Sequence, residues 1–247
     1  MTPSAIVGII PARLASSRFP EKVLADRTGK PLIQHVREAA RAARSLTRLV
    51  VAADDPRVMS AVAAFGGEGV LTRADHPNGT CRLAEAASLL GLDADSLVVN
   101  IQGDEPEIEP HAIDAAVHAL LASRAPMATV ASPFAPGEDP DNPNIVKAVV
   151  GADGHALYFS RARLPFARQG GTPQPPLKHV GLYAYRRPFL GEYARMIPTP
   201  LERCEMLEQL RVLEHGHRIA VATVAVRSHG IDTPEQYDAF VGRYLSR

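Results

Sequence analysis

Before residue 132 the chain alternates, about five times, between a short apolar run and a longer segment of helical spacing. Short apolar runs read as strands buried on both faces, and the helices between them supply right-handed crossovers between parallel strands. The runs are Ile6–Ile10, Arg48–Ala53, Gly69–Thr72, Ser96–Gln102 and Met127–Ala131. The first ends at Pro11, which brings no N–H to a ladder. Helices are expected over Pro31–Arg44, from the caps Asp54-Asp55-Pro56 to Phe65, over Thr80–Leu90 and over Pro110–Ser123. The expected fold class is therefore α/β, with a mostly parallel, doubly wound sheet.

From Ser132 the rhythm changes. SPFAPGEDPDNPN is a loop rich in Pro and turn formers. Ile145–Val150 and His155–Phe159 read as a hairpin around Gly151-Ala152-Asp153-Gly154, and QGGTPQPP as a flexible segment. His179–Arg186 is a strand, Pro188–Arg195 and Leu201–His215 are helical, Ile219–Val226 is a last strand and Pro234–Leu245 a closing helix. Residues 1–247 are expected to form a single domain, with 132–186 as a β-rich elaboration on its sheet.

The 27 basic and 27 acidic residues cancel, which argues against a general nucleic-acid or membrane-surface binder. Any anion site must be a local gathering of Arg and Lys. Cys81 and Cys204 form no CxxC pair, so neither a disulfide framework nor zinc spacing is present. No run approaches the ~18 apolar residues of a membrane span, and the first residues do not read as a signal peptide. These features fit a cytoplasmic protein.

The chemistry concentrates at the ends of strands. After Pro11 come Arg13, Arg18 and Lys22, with small residues between the first two. A cationic loop at the carboxyl end of a first parallel strand is where open α/β sheets bind phosphates; the other reading is a solvated basic loop. Asp104 follows the strand VVNIQ at the same edge of the sheet. A hard cation such as Mg²⁺ takes one or two carboxylates plus substrate phosphates, and Asp232, after the last strand, could be the second. Taken alone, Asp104 could cap a turn and Asp232 the final helix. Arg161 offers a guanidinium fork for a carboxylate, or is a surface arginine. His179, near Tyr183 and Tyr185, could bind a polyol, or is structural. No GxSxG, HExxH, GxGxxG or Walker-type loop is present.

Seven blocks, IIPARLASSRFPEKVL, TRADHPNGTCRLAE, VVNIQGDEP, ALYFSRA, HVGLYAYR, LEQLRVLEHG and GIDTPEQ, run in order over nearly the whole chain. Together they resemble the 3-deoxy-D-manno-octulosonate (Kdo) cytidylyltransferases, also called CMP-Kdo synthetases. The first block is shared with other sugar cytidylyltransferases, including CMP-sialate synthetases; NIQGDEP, LYFSR, H-x-G-x-Y and LEQLR are more specific. The resemblance implies a nucleotidyltransferase fold, a homodimer, the cofactor Mg²⁺, and transfer of CMP from CTP to Kdo for lipopolysaccharide synthesis. It implies that Arg13, Arg18 and Lys22 hold the CTP phosphates, with Asn78, Gly79, Thr80 and Arg82 near the nucleotide. Asp104 and Asp232 would bind the metal, and Gln102, Arg161, His179, Tyr183, Glu208 and Gln209 would surround the sugar. Lys22, Asp104, Asp232 and Arg13 would form the catalytic set. The 132–186 elaboration would cover the sugar or form the dimer contact. Cys81 and Asn78 depart from the family, which more often has an acidic residue and Ser there. The rivals are a synthetase for another acidic sugar, such as 8-amino-Kdo or sialic acid, and a catalytically silent nucleotide-sugar-binding protein.

Overall fold

The computed structural model describes residues 3–16, 18–227 and 230–246; Ser17, one of the small residues of the cationic loop, lies outside them. Its first half follows the expected alternation: β1 (Ile6–Ala12), α1 (Leu32–Ala40), β2 (Arg48–Ala53), α2 (Pro56–Ala64), β3 (Glu68–Leu71), α3 (Gly79–Leu89), β4 (Leu97–Asn100), α4 (Pro110–Ala122) and β5 (Met127–Pro133). There follow the hairpin β6 (Lys147–Val150) and β7 (Ala156–Ser160), then β8 (Leu177–Arg186), α5 (Arg187–Tyr193), α6 (Pro200–Glu205), α7 (Glu208–Glu214), β9 (Ile219–Thr223) and α8 (Pro234–Leu245).

The strands lie in the order β3-β2-β1-β4-β8-β5-β9, and β6 continues the sheet beside β8. Every pairing among β3, β2, β1 and β4 is parallel, as is β5 with β9. β8 is antiparallel to both β4 and β5. The 132–186 stretch therefore does more than decorate the sheet: its last strand is a central member. The two faces of the sheet are buried separately. One face packs Val36, Val99, Ile113 and Val117 in a single cluster. The other packs Leu83, Val98, Tyr185, Phe189 and Leu210. Each such side chain, fully buried, contributes about 1.5–3 kcal/mol.

Four boundaries differ from expectation. β1 does not stop at Pro11 but runs to Ala12. Ile9 O accepts from Ile101 N on the β4 side, so by alternation Pro11 faces that side too. There β4 pairs with β1 only over Ile6–Ile9, so the missing donor breaks no bond. The helix expected over Leu201–His215 is two helices, broken at Met206 with φ 53° and ψ 49°. Left-handed backbone at a non-glycine residue costs about 1–3 kcal/mol and needs surrounding support. Here the end of β7 docks on the break: Ser160 Oγ and the Arg161 N–H donate to the Glu205 carboxylate at 2.6 and 2.8 Å. The last strand ends at Thr223, not Val226, and α1 ends at Ala40, with tighter turns at Ala42 and Ala43 in place of its last residues.

Candidate active site

Lys22 begins a single 3-10 turn, Lys22–Leu24. Its ammonium donates to Asp104 Oδ2 at 2.8 Å, to Asp232 Oδ1 at 3.0 Å and to Ile231 O at 2.7 Å. Three protons thus meet three acceptors, and the Lys22 side chain is only 12% exposed. Arg18, far more open, reaches the other Asp232 oxygen at 3.1 Å. The beginning, middle and end of the chain converge at the carboxyl edge of the sheet, as the phosphate-site reading requires.

Local structure explains the convergence. α8 is held to α1 by a small cluster of Leu32, Ile231, Tyr237, Phe240 and Val241. The Ile231 N–H donates to Asp104 O at 2.8 Å, which ties the two acidic loops together. Thr233 caps α8 in a capping box with Gln236. Asp232 is therefore not the helix cap, and its carboxylate is left to face Lys22. Gly103 lets Asp104 approach: a Cβ there would lie 2.5 Å from the Pro11 carbonyl oxygen.

The cationic loop is braced from behind. Arg82 is completely buried and donates to Thr72 Oγ1 at 2.7 Å and to Asp54 Oδ2 at 3.2 Å. Asp54 Oδ1 accepts the Leu14 N–H at 2.9 Å. Arg82, expected near the nucleotide, stands enclosed behind the loop and holds it through Asp54. Arg13 donates to His76 O at 2.6 Å. Asn78 Oδ1 accepts the Cys81 N–H and caps α3, so Asn78, Gly79 and Thr80 form a helix start beside Pro11. Free N–H groups at such a start favour anions. Cys81 is half-buried against the core, and burial pushes its thiol up, which fits a packing role.

A second wall comes from β8. Its register with β5 slips between Thr129 and Val130, opposite Gly181 and Leu182. Thr129 Oγ1 bonds Leu182 O at 2.8 Å and lies 3.0 Å from His179 Nε2, while Gln102 Nε2 donates to Gly181 O at 2.7 Å. Such irregularities re-aim side chains next to functional sites. A cavity of about 770 Å³ opens there, lined by His179, Gly181, Asp232 and the ion-paired Glu138 and Lys178. Burial holds His179 down at about 3, so its imidazole is neutral. Desolvation also pushes the Tyr183 hydroxyl well above its ordinary value.

Glu208, at the start of α7, lies 3.4 Å from Thr80 Oγ1 and 3.3 Å from the Tyr193 hydroxyl. Solvent reaches the residue, yet protein surrounds the carboxyl closely enough that desolvation raises it above its ordinary value. Gln209 beside it is buried, with Nε2 unpartnered. The structure does not bring Arg161 into this set. Its guanidinium is turned onto the carbonyls of Glu205, Pro143 and Met206 at 2.7, 3.0 and 3.5 Å.

The cytidylyltransferase family model matches residues 7–219. The 3-deoxy-manno-octulosonate cytidylyltransferase of Syntrophobacter fumaroxidans is 55% identical over 96% of this chain and 95% of its own length. This chain is a 3-deoxy-manno-octulosonate cytidylyltransferase family member. The Geobacter sulfurreducens cytidylyltransferase of the same name is 48% identical, covering 94% of this chain and 96% of its own. A solved structure of CMP:2-keto-3-deoxy-manno-octonic acid synthetase complexed with CTP superposes with a TM-score of 0.91 at 40% identity, covering 98% of this chain and 99% of that one.

In this cytidylyltransferase, the sequence reading missed the role of Asp54 behind the cationic loop. Asp54 was read with Asp55 as a helix cap; Asp55 alone does that work, accepting the Arg57 N–H. The available signal was position: Asp54 directly follows β2, at the functional edge of a parallel sheet.

Proposed function

We propose that this protein transfers CMP from CTP to the anomeric hydroxyl of Kdo and releases pyrophosphate. The observation that carries the reading is the meeting of Lys22, Asp104 and Asp232 at one point, in a chain of this family.

Charge and positioning do most of the work in such transfers. Arg13, Arg18 and Lys22 neutralise the triphosphate, and Lys22 and Arg13 stabilise the departing pyrophosphate. The helix start Asn78–Thr80 adds backbone donors on the nucleotide side. The anomeric hydroxyl releases its proton to solvent as its oxygen attacks the α-phosphorus in line, and the bond from that phosphorus to the oxygen it shares with the β-phosphate breaks, its electron pair leaving with pyrophosphate. Gln102, His179, Tyr183, Glu208 and Gln209 orient the sugar from the β8 and α7 walls. The neutral imidazole of His179 both donates and accepts, which suits a hydroxyl.

The residues fit Mg²⁺. Asp104 and Asp232 are hard oxygen donors that already share one cation, the Lys22 ammonium. Among the described residues no cluster of three or more ligating side chains exists, which suits an ion that also takes waters and substrate phosphates. Asp104 and Asp232 would hold the ion, which when bound supplies charge neutralisation and lowers the pKa of a coordinated hydroxyl.

The reading extends to a homodimer working in the cytoplasm and supplying activated Kdo for lipopolysaccharide. Leu157 on β7, Phe166 shortly after it in sequence and Met206, at the break where the end of β7 docks, are 64%, 86% and 76% exposed, and are the apolar side chains this reading assigns to the contact. No helix among the described residues is long and apolar enough to cross a membrane. Pyrophosphate release from CTP with Kdo, compared with sialic acid, tests the function. Release that needs Kdo supports it, and release only with sialic acid refutes it.

A further inference from the structure

Asn100 closes β4 and is 4% exposed, and its Oδ1 has no hydrogen-bond partner. Most buried polar atoms are paired, so such an oxygen needs an explanation. Its direction follows from register. Asn100 stands opposite Ile9 on β1 and Tyr183 on β8, and residues directly opposite share a face. Ile9 belongs to the cluster under α3 and α7, so the amide of Asn100 looks toward the face that carries Tyr183, Tyr185, Thr80 and Glu208. Gln209, on α7 beside Glu208, contributes the opposite vacancy: a buried Nε2 with no acceptor.

Asn100, on the sheet face under α3 and α7, thus carries a buried acceptor without a donor, and Gln209 on α7 a buried donor without an acceptor. A hydroxyl can satisfy either group, as donor or as acceptor. An apolar or aromatic ligand can serve neither, and a carboxylate would repel the Asn100 oxygen. A ligand chain bearing hydroxyls meets that need, and the acid substrate of the proposed function carries one.

We propose that Asn100 Oδ1 accepts a hydrogen bond from a sugar hydroxyl and is a specificity determinant for the acid substrate, acting beside Gln209. The inference rests on the proposed function, since the sugar is taken to be Kdo. It predicts an unusual separation of effects. Removing an unpartnered buried oxygen does not harm the empty protein, because no bond is lost. It does harm substrate recognition, because a site built to bond a hydroxyl loses that bond.

The test is Asn100→Leu, close in shape, with thermal melting of the ligand-free protein and steady-state kinetics in both substrates. The expected result is a melting temperature at or above wild type, a KM for Kdo raised about tenfold or more, and a KM for CTP within twofold. Asn100→Thr, which restores a small acceptor, recovers part of the Kdo KM, and it decides the matter if the Leu variant does not fold. An unchanged Kdo KM in the folded variant overturns the inference. So does a lowered melting temperature with both KM values rising together, which marks Asn100 as structural. Wild-type protein that releases no pyrophosphate with Kdo would instead sink the proposed function, and this inference with it.

Discussion

The ammonium of Lys22 lies 2.8 Å from Asp104 Oδ2, joining residues 82 positions apart. With Asp232 Oδ1 at 3.0 Å it forms a cation held between two acids. Removing the cation leaves two carboxylates facing each other and a triphosphate with less positive charge. Lys22→Met is expected to lower turnover by about 10²–10³, the scale for losing one transition-state donor. Asp104→Ala is expected to lose orders of magnitude while its far-UV circular dichroism stays native. Chelation of divalent ions should stop pyrophosphate release, and added Mg²⁺ should restore it. Near-normal turnover in Asp104→Ala would refute the metal assignment.

Gly103 sets how closely Asp104 can approach. A Cβ at 2.5 Å from the Pro11 oxygen cannot be accommodated without moving backbone. Gly103→Ala should therefore displace Asp104 and lower kcat by tenfold or more, since displacements on the 1 Å scale cost about 10²-fold in well-ordered sites. A kcat equal to wild type would show that this contact does not position the acid.

The Arg82–Asp54 brace predicts a stability effect coupled to nucleotide binding. Arg82→Met leaves Asp54 charged and enclosed, at a cost of about 3–5 kcal/mol for a broken buried pair. Urea unfolding should show that loss. Because Asp54 also holds the Leu14 N–H, the KM for CTP should rise in the protein that remains folded. A stable variant with unaltered CTP kinetics would separate the brace from the loop.

His179 gives stability a pH dependence whose sign follows from its burial. The imidazole falls from 6.5 to about 3 in the folded protein. Between those values the unfolded chain binds the proton and the folded chain does not. This contribution is complete above pH 6.5 and is lost as the pH falls from 6.5 toward 3. The urea midpoint of wild type should therefore drop further from pH 7 to pH 5 than that of His179→Gln. Equal drops would contradict a neutral, buried His179.

The exposed apolar side chains near β7 predict the assembly state. Leu157→Asp combined with Phe166→Asp should convert a dimer to a monomer in light scattering, because a charge in a desolvated interface is costly. An unchanged mass would rule this face out as the contact, and a wild type that scatters as a monomer would refute the proposed homodimer.

Much of this was legible in sequence, and the residues show why. β2 and α8 have the bounds that apolar runs and caps predict, Arg48–Ala53 and Pro234–Leu245. The nearness of Lys22 and Asp104 followed from strand ends, since a parallel sheet gathers its loops at one edge, whereas Asp232, well past the end of β9, is brought to them by Ile231 and the packing of α8. What was not legible came from tertiary contacts. Nothing in LERCEMLEQL marks a helix break; Met206 turns left-handed because β7 docks there. HVGLYAYR reads as a strand but does not declare that it lies antiparallel between β4 and β5. Arg82 looks like any motif arginine until its burial against Asp54 is seen.

The late position of β8 in the chain has a consequence for biogenesis. As the polypeptide leaves the ribosome, β1 to β4 can pair among themselves through local crossovers. β5 emerges with no neighbour to join it to them, and both β4 and β5 keep a bare edge until residues 177–186 arrive. The β3-β2-β1-β4 half can therefore pair first, and β5 joins it only when β8 arrives to bridge them.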